Sequence, residues 1–271
     1  MYISGFADEI DKNIDIQFSV LNKLGIKYFE PRGINGKNIS LLTTDEAKEL
    51  KSKMDKAGIK ASSIASPIGK ADIKDTEKEF QLLRHMVETA KILDCGFIRI
   101  FSFYNAYGSK DEVITALKRM SDYAEKENII LLHENEKDVY GDTAERCLEI
   151  LEGINSHNLK AVFDPANFVK CGEDTIKAYE MLKKHIAYMH IKDSRDDKTI
   201  VPAGAGAGNI KYILDELKAD GYDGFLSLEP HLGTYEELED LEVDDNMLKT
   251  QKGGEGTFTL AYNSLKILLD K

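Results

Sequence analysis

Four short motifs place acids and a histidine where apolar runs end: Leu132-His133-Glu134-Asn135-Glu136, Phe163-Asp164, His190-Ile191-Lys192-Asp193 and Leu228-Glu229-Pro230-His231. In extended backbone, alternate side chains share a face. Ile130, Leu132 and Glu134 therefore point one way, as do Val162 with Asp164, Tyr188 with His190, and Ser227 with Glu229. If that face is the inside of one closed sheet, Glu134, Asp164, His190 and Glu229 converge. Three carboxylates at one mouth repel each other and are costly to desolvate unless a cation neutralises them. A divalent metal ion meets that need, and oxygen ligands with one imidazole suit Mn, Mg, Co or Zn without choosing among them. Any single acid after a strand reads first as a helix cap or a surface group. Four groups in phase at four successive strand ends point to a metal centre.

The elements that must hold these residues are legible in the hydrophobic pattern. Short β-branched or aromatic runs begin near Tyr2, Lys27, Lys60, Phe97, Ile129, Ala161, Ala187 and Phe225, and amphipathic stretches lie between them. The runs start 25 to 38 residues apart, enough for a right-handed strand-helix-strand crossover each time. Helices are expected from a cap at Thr44 to Ala57-Gly58, and over 75–93, 111–127, 143–151 and 174–184. Eight such units in 271 residues predict an α/β fold, a single (β/α)8 TIM barrel over residues 1–271. A doubly wound open sheet would more often have a glycine-rich turn after its first strand, where this chain has Phe6-Ala7-Asp8-Glu9. Leu232 to Glu255 forms a long acidic connection after the eighth strand, read as a solvated excursion ahead of a lid or subunit contact.

Composition narrows the partners. Lys and Arg number 36 against 48 Asp and Glu, a net charge of −12, which is the wrong sign for affinity built on phosphate backbones. No apolar run approaches the ~18 residues of a membrane helix. Cys95, Cys147 and Cys171 are too few and scattered for a disulfide framework, and the N-terminus lacks a secretory pattern, so a cytoplasmic address is expected.

The motifs HENE at 133–136, FDPAN at 163–167, HIKD at 190–193, VPAGAGAG at 201–208 and LEPH at 228–231 resemble, in order, those of sugar isomerases and epimerases of the xylose-isomerase-like TIM-barrel superfamily. The similarity covers nearly the whole chain, and the stretch from Gly256 to Leu269 resembles that family's terminal helix. The resemblance implies one divalent ion held by Glu134, Asp164, His190 and Glu229, with open positions for vicinal oxygens of a sugar or sugar phosphate. Such an ion stabilises the enediolate formed when the carbon between those oxygens loses a proton. In the epimerase branch, the glutamates matching Glu134 and Glu229 are thought to remove and return that proton, which implies catalytic roles for both.

Two departures bear on specificity. Asn167 stands where ketose 3-epimerases usually carry a substrate-binding His, and Ala205 where relatives often have Glu. Other branches act on phosphorylated sugars, inososes or dehydroshikimate. A dehydratase or lyase of a polyol or inosose-type keto-cyclitol is the runner-up, because it uses the same enolate but expels a β-hydroxyl. A non-catalytic sugar-binding protein and an apurinic-site endonuclease rank lower. The endonuclease pattern needs further histidines for three zinc ions, and Asn167 replaces one of them. Homo-oligomers are common among the relatives.

Asn167, Lys192, Glu136, Arg195, Glu30 and His231 are the candidate substrate-binding residues, and each has a plainer alternative as a solvated or structural group. Arg32 and Arg99 could also line the mouth, with Glu30 and Arg32 equally readable as a structural ion pair. His133 is out of phase and reads as structural. The tract from Gly204 to Gly208 resembles a phosphate cradle but does not fit GxxxxGK[ST], and it reads as a flexible loop.

Overall fold

The computed structural model describes residues 1–232 and 254–270. The acidic connection therefore lies outside the described residues except at its ends. Eight expected strands are present: β1 (Tyr2–Gly5), β2 (Tyr28–Phe29), β3 (Lys60–Ala61), β4 (Phe97–Ile100), β5 (Ile130–Glu134), β6 (Leu159–Phe163), β7 (Ile186–Ile191) and β8 (Phe225–Leu228). The described helices are α1 (Ile14–Lys23), α2 (Thr44–Ala57), α3 (Thr76–Ile92), α4 (Lys110–Lys126), α5 (Ala144–Ile154), α6 (Pro165–Lys170), α7 (Thr175–Leu182), α8 (Ile210–Ala219) and α9 (Glu255–Asp270). No helix among the described residues is long and apolar enough to cross a membrane.

The strands form a curled parallel sheet whose continuous ladder runs β1-β8-β7-β6-β5-β4, while β2 and β3 make a separate parallel pair. This ladder is shorter than the eight strands expected. Short links join the pair to both ends of the ladder: Glu30 N–H donates to Gly5 O at 2.9 Å, Ile64 N–H donates to Phe97 O at 2.9 Å, and Arg99 N–H donates to Ile64 O at 2.9 Å. Proline explains the brevity of β2, because Pro31 has no N–H to offer the next rung.

Helix boundaries follow local chemistry. The cap of α2 is Thr43, one residue before the expected Thr44, and its capping box with Glu46 satisfies two backbone donors. At the other end Gly58 takes φ 67°, the left-handed conformation that glycine adopts at least cost. α6 was not anticipated; Asp164 caps it and Pro165 opens it.

The alternation read in the sequence holds. Leu132, Val162 and Tyr188 form an apolar cluster inside the sheet, separate from the larger core between sheet and helices that contains Ile98, Ile100, Leu131 and Phe163. His133, out of phase with Glu134, faces the helices as expected. Its ring lies so close to Gly141 that a Cβ there would sit 2.6 Å from Cε1.

Neither His133 nitrogen has a hydrogen-bond partner, and burial pushes its pKa down to about 4 from the usual 6.5. Between these values the unfolded chain binds the proton and the folded chain does not, so stability falls as pH drops from 6.5 towards 4. Two and a half pKa units correspond to about 3 kcal/mol. Urea unfolding across that range should show this loss, and His133→Leu should flatten the slope. An unchanged slope in the variant would contradict the assignment.

Candidate metal centre

Each ligand candidate is delivered by the last residues of a strand. Glu134 ends β5, His190 is the penultimate residue of β7, and Asp164 and Glu229 directly follow β6 and β8. All four are buried, and one potential ligand atom from each lies within 4.8 Å of the others. His190 Nδ1 stands 3.0 Å from Glu134 Oε1, 3.3 Å from Glu229 Oε2 and 3.8 Å from Asp164 Oδ2. Asp164 serves two purposes with separate oxygens. Its Oδ1 accepts the Asn167 N–H at 2.9 Å, capping α6, and its Oδ2 faces the cluster. The helix cap therefore uses one oxygen and leaves the other at the cluster.

Positive groups surround these acids. Lys192 Nζ lies 3.1 Å from Asp164 Oδ2 and 3.0 Å from Glu229 Oε2, and Arg99 Nη1 lies 3.1 Å from Glu134 Oε2. Arg32 reaches Asp8, Glu9 and Glu229 at 2.8, 3.4 and 3.4 Å. Both guanidinium groups sit over the Phe6 ring, at 4.6 Å for Arg32 and 5.3 Å for Arg99.

The electrostatic balance differs between the two glutamates. Burial raises the Glu134 carboxyl above the usual range, with His190 and Arg99 opposing. Burial also acts on Glu229, but Lys192, His190 and His231 outweigh it and hold that carboxyl well below the usual range. Burial alone would depress His190, yet Glu134, Glu30 and Glu229 draw it well above 6.5. In the metal-free chain the imidazolium thus supplies part of the positive charge the acids require.

The donor set fits a divalent ion. Glu134 Oε2 and Asp164 Oδ2 are buried without a well-aligned hydrogen bond, and an imidazole Nδ1 faces the carboxylates. Oxygen and nitrogen donors of this kind suit Zn, Mn, Co or Mg.

The remaining candidates do not all reach the cluster. Asn167 Nδ2 donates to Glu134 Oε1 at 3.3 Å and to Asn135 O at 3.0 Å, while His231 Nε2 lies 3.5 Å from Glu229 Oε1 and 3.3 Å from Glu9 Oε1. With Lys192, these border the cluster. Glu136 stands further out in an ion pair with Lys70 at 3.1 Å. Arg195 is exposed and is not brought to the cluster. Glu30 does not pair with Arg32 in the described contacts; it accepts from the hydroxyls of Tyr188 and Ser227 instead.

Sequence reasoning missed Asp8 and Glu9, the acids that hold Arg32, although the phase that runs through Ser4 and Phe6 leads to Asp8. It also missed Asp193 and misjudged the glycine tract. Gly204 and Gly206 donate N–H groups to Asp193 Oδ2 at 2.9 and 3.0 Å, and Gly208 and Ser194 donate to Oδ1, both at 2.9 Å. The tract is pinned, not loose, and the anion in its cradle is the protein's own. A Cβ at Gly206 would lie 2.4 Å from Asp193 Oδ1.

A curled parallel sheet ringed by helices, with acids and a histidine at its C-terminal rim, defines a TIM-barrel class of protein. The sequence profile of the xylose isomerase-like TIM barrel family matches residues 18–249, and the chain belongs to that family. Among curated proteins, the uncharacterized protein MJ1311 of Methanocaldococcus jannaschii is 34% identical over 101 residues. That match covers 35% of this chain and about a third of MJ1311.

Three solved structures share the fold along essentially the full length. The IOLI protein with a bound zinc atom superposes with a TM-score of 0.79 at 19% identity, covering 100% of this chain and 98% of its own. D-Psicose 3-epimerase from Clostridium cellulolyticum H10, solved with D-tagatose, has a TM-score of 0.79 at 14% identity, covering 100% and 99%. The probable 3-DHS dehydratase AsbF from Bacillus anthracis has a TM-score of 0.74 at 17% identity, covering 98% and 99%. At these identities the likeness concerns the fold.

Asp193→Asn removes a charge and leaves an amide nitrogen against N–H donors. It should cost roughly 2–4 kcal/mol of stability and speed amide exchange at Gly204, Gly206 and Gly208. Protection equal to wild type at those glycines would show that the carboxylate does not hold the tract.

Proposed function

We propose that the protein is a divalent-metal-dependent isomerase or epimerase of sugars or sugar phosphates, built on a closed (β/α)8 barrel and acting by transfer of a carbon-bound proton. The observation that carries this reading is the convergence of Glu134, Asp164, His190 and Glu229 on one buried point at the C-terminal rim of the sheet. Glu134, Asp164, Glu229 and His190 Nδ1 would hold the ion. When bound, a divalent ion supplies Lewis-acid stabilisation of the charge that develops on substrate oxygens as the neighbouring carbon ionises.

The rest of the chemistry belongs to the chain. Glu134 and Glu229 would act as acid and base as well as ligands. Without an ion, burial favours a proton on Glu134, while Lys192, His190 and His231 keep Glu229 charged; a bound cation would draw both carboxyls to the ionised form that ligation and proton abstraction require. Asn167, Lys192 and His231 would orient substrate oxygens, with Glu136 nearer the rim.

A dehydratase is the second reading, favoured by the fold shared with AsbF. It would use the same proton abstraction and expel a hydroxyl from the adjacent carbon.

The test is a deuterium-exchange screen in D2O over ketoses, sugar phosphates and inososes with metal-loaded protein. Deuterium should enter at one carbon of a ligand, and Glu134→Gln and Glu229→Gln should each slow exchange by about 10²-fold or more. Loss of a hydroxyl during exchange would select the dehydratase. Undiminished exchange in both variants at unchanged metal content would remove the glutamates from the mechanism.

A further inference from the structure

Glu30 lies on the far side of His190 from the three carboxylates. It is buried, and its Oε2 accepts from the Tyr188 hydroxyl at 2.9 Å and the Ser227 hydroxyl at 2.7 Å. The same oxygen stands 3.3 Å from His190 Nε2, close but not aligned as a hydrogen bond, while Nδ1 of that ring is hydrogen-bonded to Glu134 Oε1 at 3.0 Å. Behind it, the Tyr188 hydroxyl is 2.8 Å from Ser62 Oγ, which is 2.5 Å from Ser4 Oγ. A chain of polar groups therefore runs from the sheet interior to the back of the imidazole. The ring itself is wedged edge-on between Phe6 and Tyr188, with centroids 5.2 and 5.8 Å away.

A neutral imidazole ligates through one nitrogen and carries its proton on the other, and the partner of the second nitrogen decides which is which. An oxygen that already accepts from two hydroxyls offers His190 an acceptor. With Nδ1 given to a cation among the carboxylates, the proton would sit on Nε2, where a small turn of the ring brings it onto Glu30 Oε2.

We propose that Glu30 is a positioning residue of the metal centre, fixing the ring orientation and tautomer of His190 by accepting from Nε2–H, and is not the substrate contact suggested by its place after β2. The proposal rests on reading Glu134, Asp164, His190 and Glu229 as metal ligands. Glutamine at position 30 keeps the shape but can turn its NH2 towards Nε2, which selects the opposite tautomer and blocks Nδ1. Tyr188→Phe removes one donor to Glu30 and leaves Ser227 in place.

The test is calorimetric titration of Zn²⁺ into chelator-stripped full-length protein, with Glu30→Gln, Tyr188→Phe and His190→Ala beside wild type. Glu30→Gln should weaken binding by about 10- to 100-fold, and Tyr188→Phe by a smaller factor. A Glu30→Gln affinity within twofold of wild type overturns the proposal. A second readout needs no variant: nitrogen-15 NMR of zinc-loaded wild type should show His190 protonated at Nε2 and ligated through Nδ1. The reverse assignment overturns the proposal even if the variants do not fold. Wild type that takes up no zinc, manganese, cobalt or magnesium refutes the metal-centre reading itself, and the proposal with it; an affinity unchanged by Glu30→Gln refutes only the role of Glu30.

Discussion

Glu30, Glu134, Asp164 and Glu229 are buried around the His190 imidazole, with Asp8 and Glu9 buried beside them at Arg32, and buried carboxylates on this scale survive only where positive charge is interleaved with them. Much of the surrounding structure answers that demand. Arg32 and Arg99 approach the acids from β2 and β4 and rest on Phe6, which stands at the end of β1. Lys192 bridges Asp164 and Glu229, and Glu134, Glu30 and Glu229 draw the His190 imidazole towards its charged form against burial. Glu9 marks the cost of the arrangement: burial lifts its pKa to about 7 despite His231 and Arg32 beside it.

The fold makes this crowding possible by fixing backbone positions first. Parallel strands in register set Ser227 beside His190 and Glu134 beside Val162, so side chains at neighbouring strand ends meet without flexible loops between them. Asn135 ties the end of β5 to the start of α6 by exchanging hydrogen bonds with the Asp164 backbone, 2.9 Å each way. Asp193 performs a similar service after β7 by gathering the glycine N–H groups.

The four ligand candidates were legible because strand alternation is a strict rule and their acids stand at strand ends. The same rule applied to the first four strands leads to Phe6 with Asp8 and to Glu30 with Arg32, but β2 and β3 are two residues long and give little periodic signal. Arg195 stands in the loop that follows β7, and position within a loop says nothing about side-chain direction. Asp193 was hidden because its partners are backbone groups up to 15 residues away, which no side-chain pattern reports. Position after a strand places Glu30 at the mouth; only the geometry shows it behind His190.

The central claim is that Glu134, Asp164, His190 and Glu229 hold one divalent ion. X-ray absorption spectroscopy of zinc-loaded protein tests it most directly, with His190→Ala as the comparison. The account predicts one ion per chain in a shell of oxygen donors with a single imidazole at about 2.0–2.2 Å, and loss of the imidazole signal in the variant. An ion with the same imidazole signal in both proteins, or no bound ion in wild type, would contradict it.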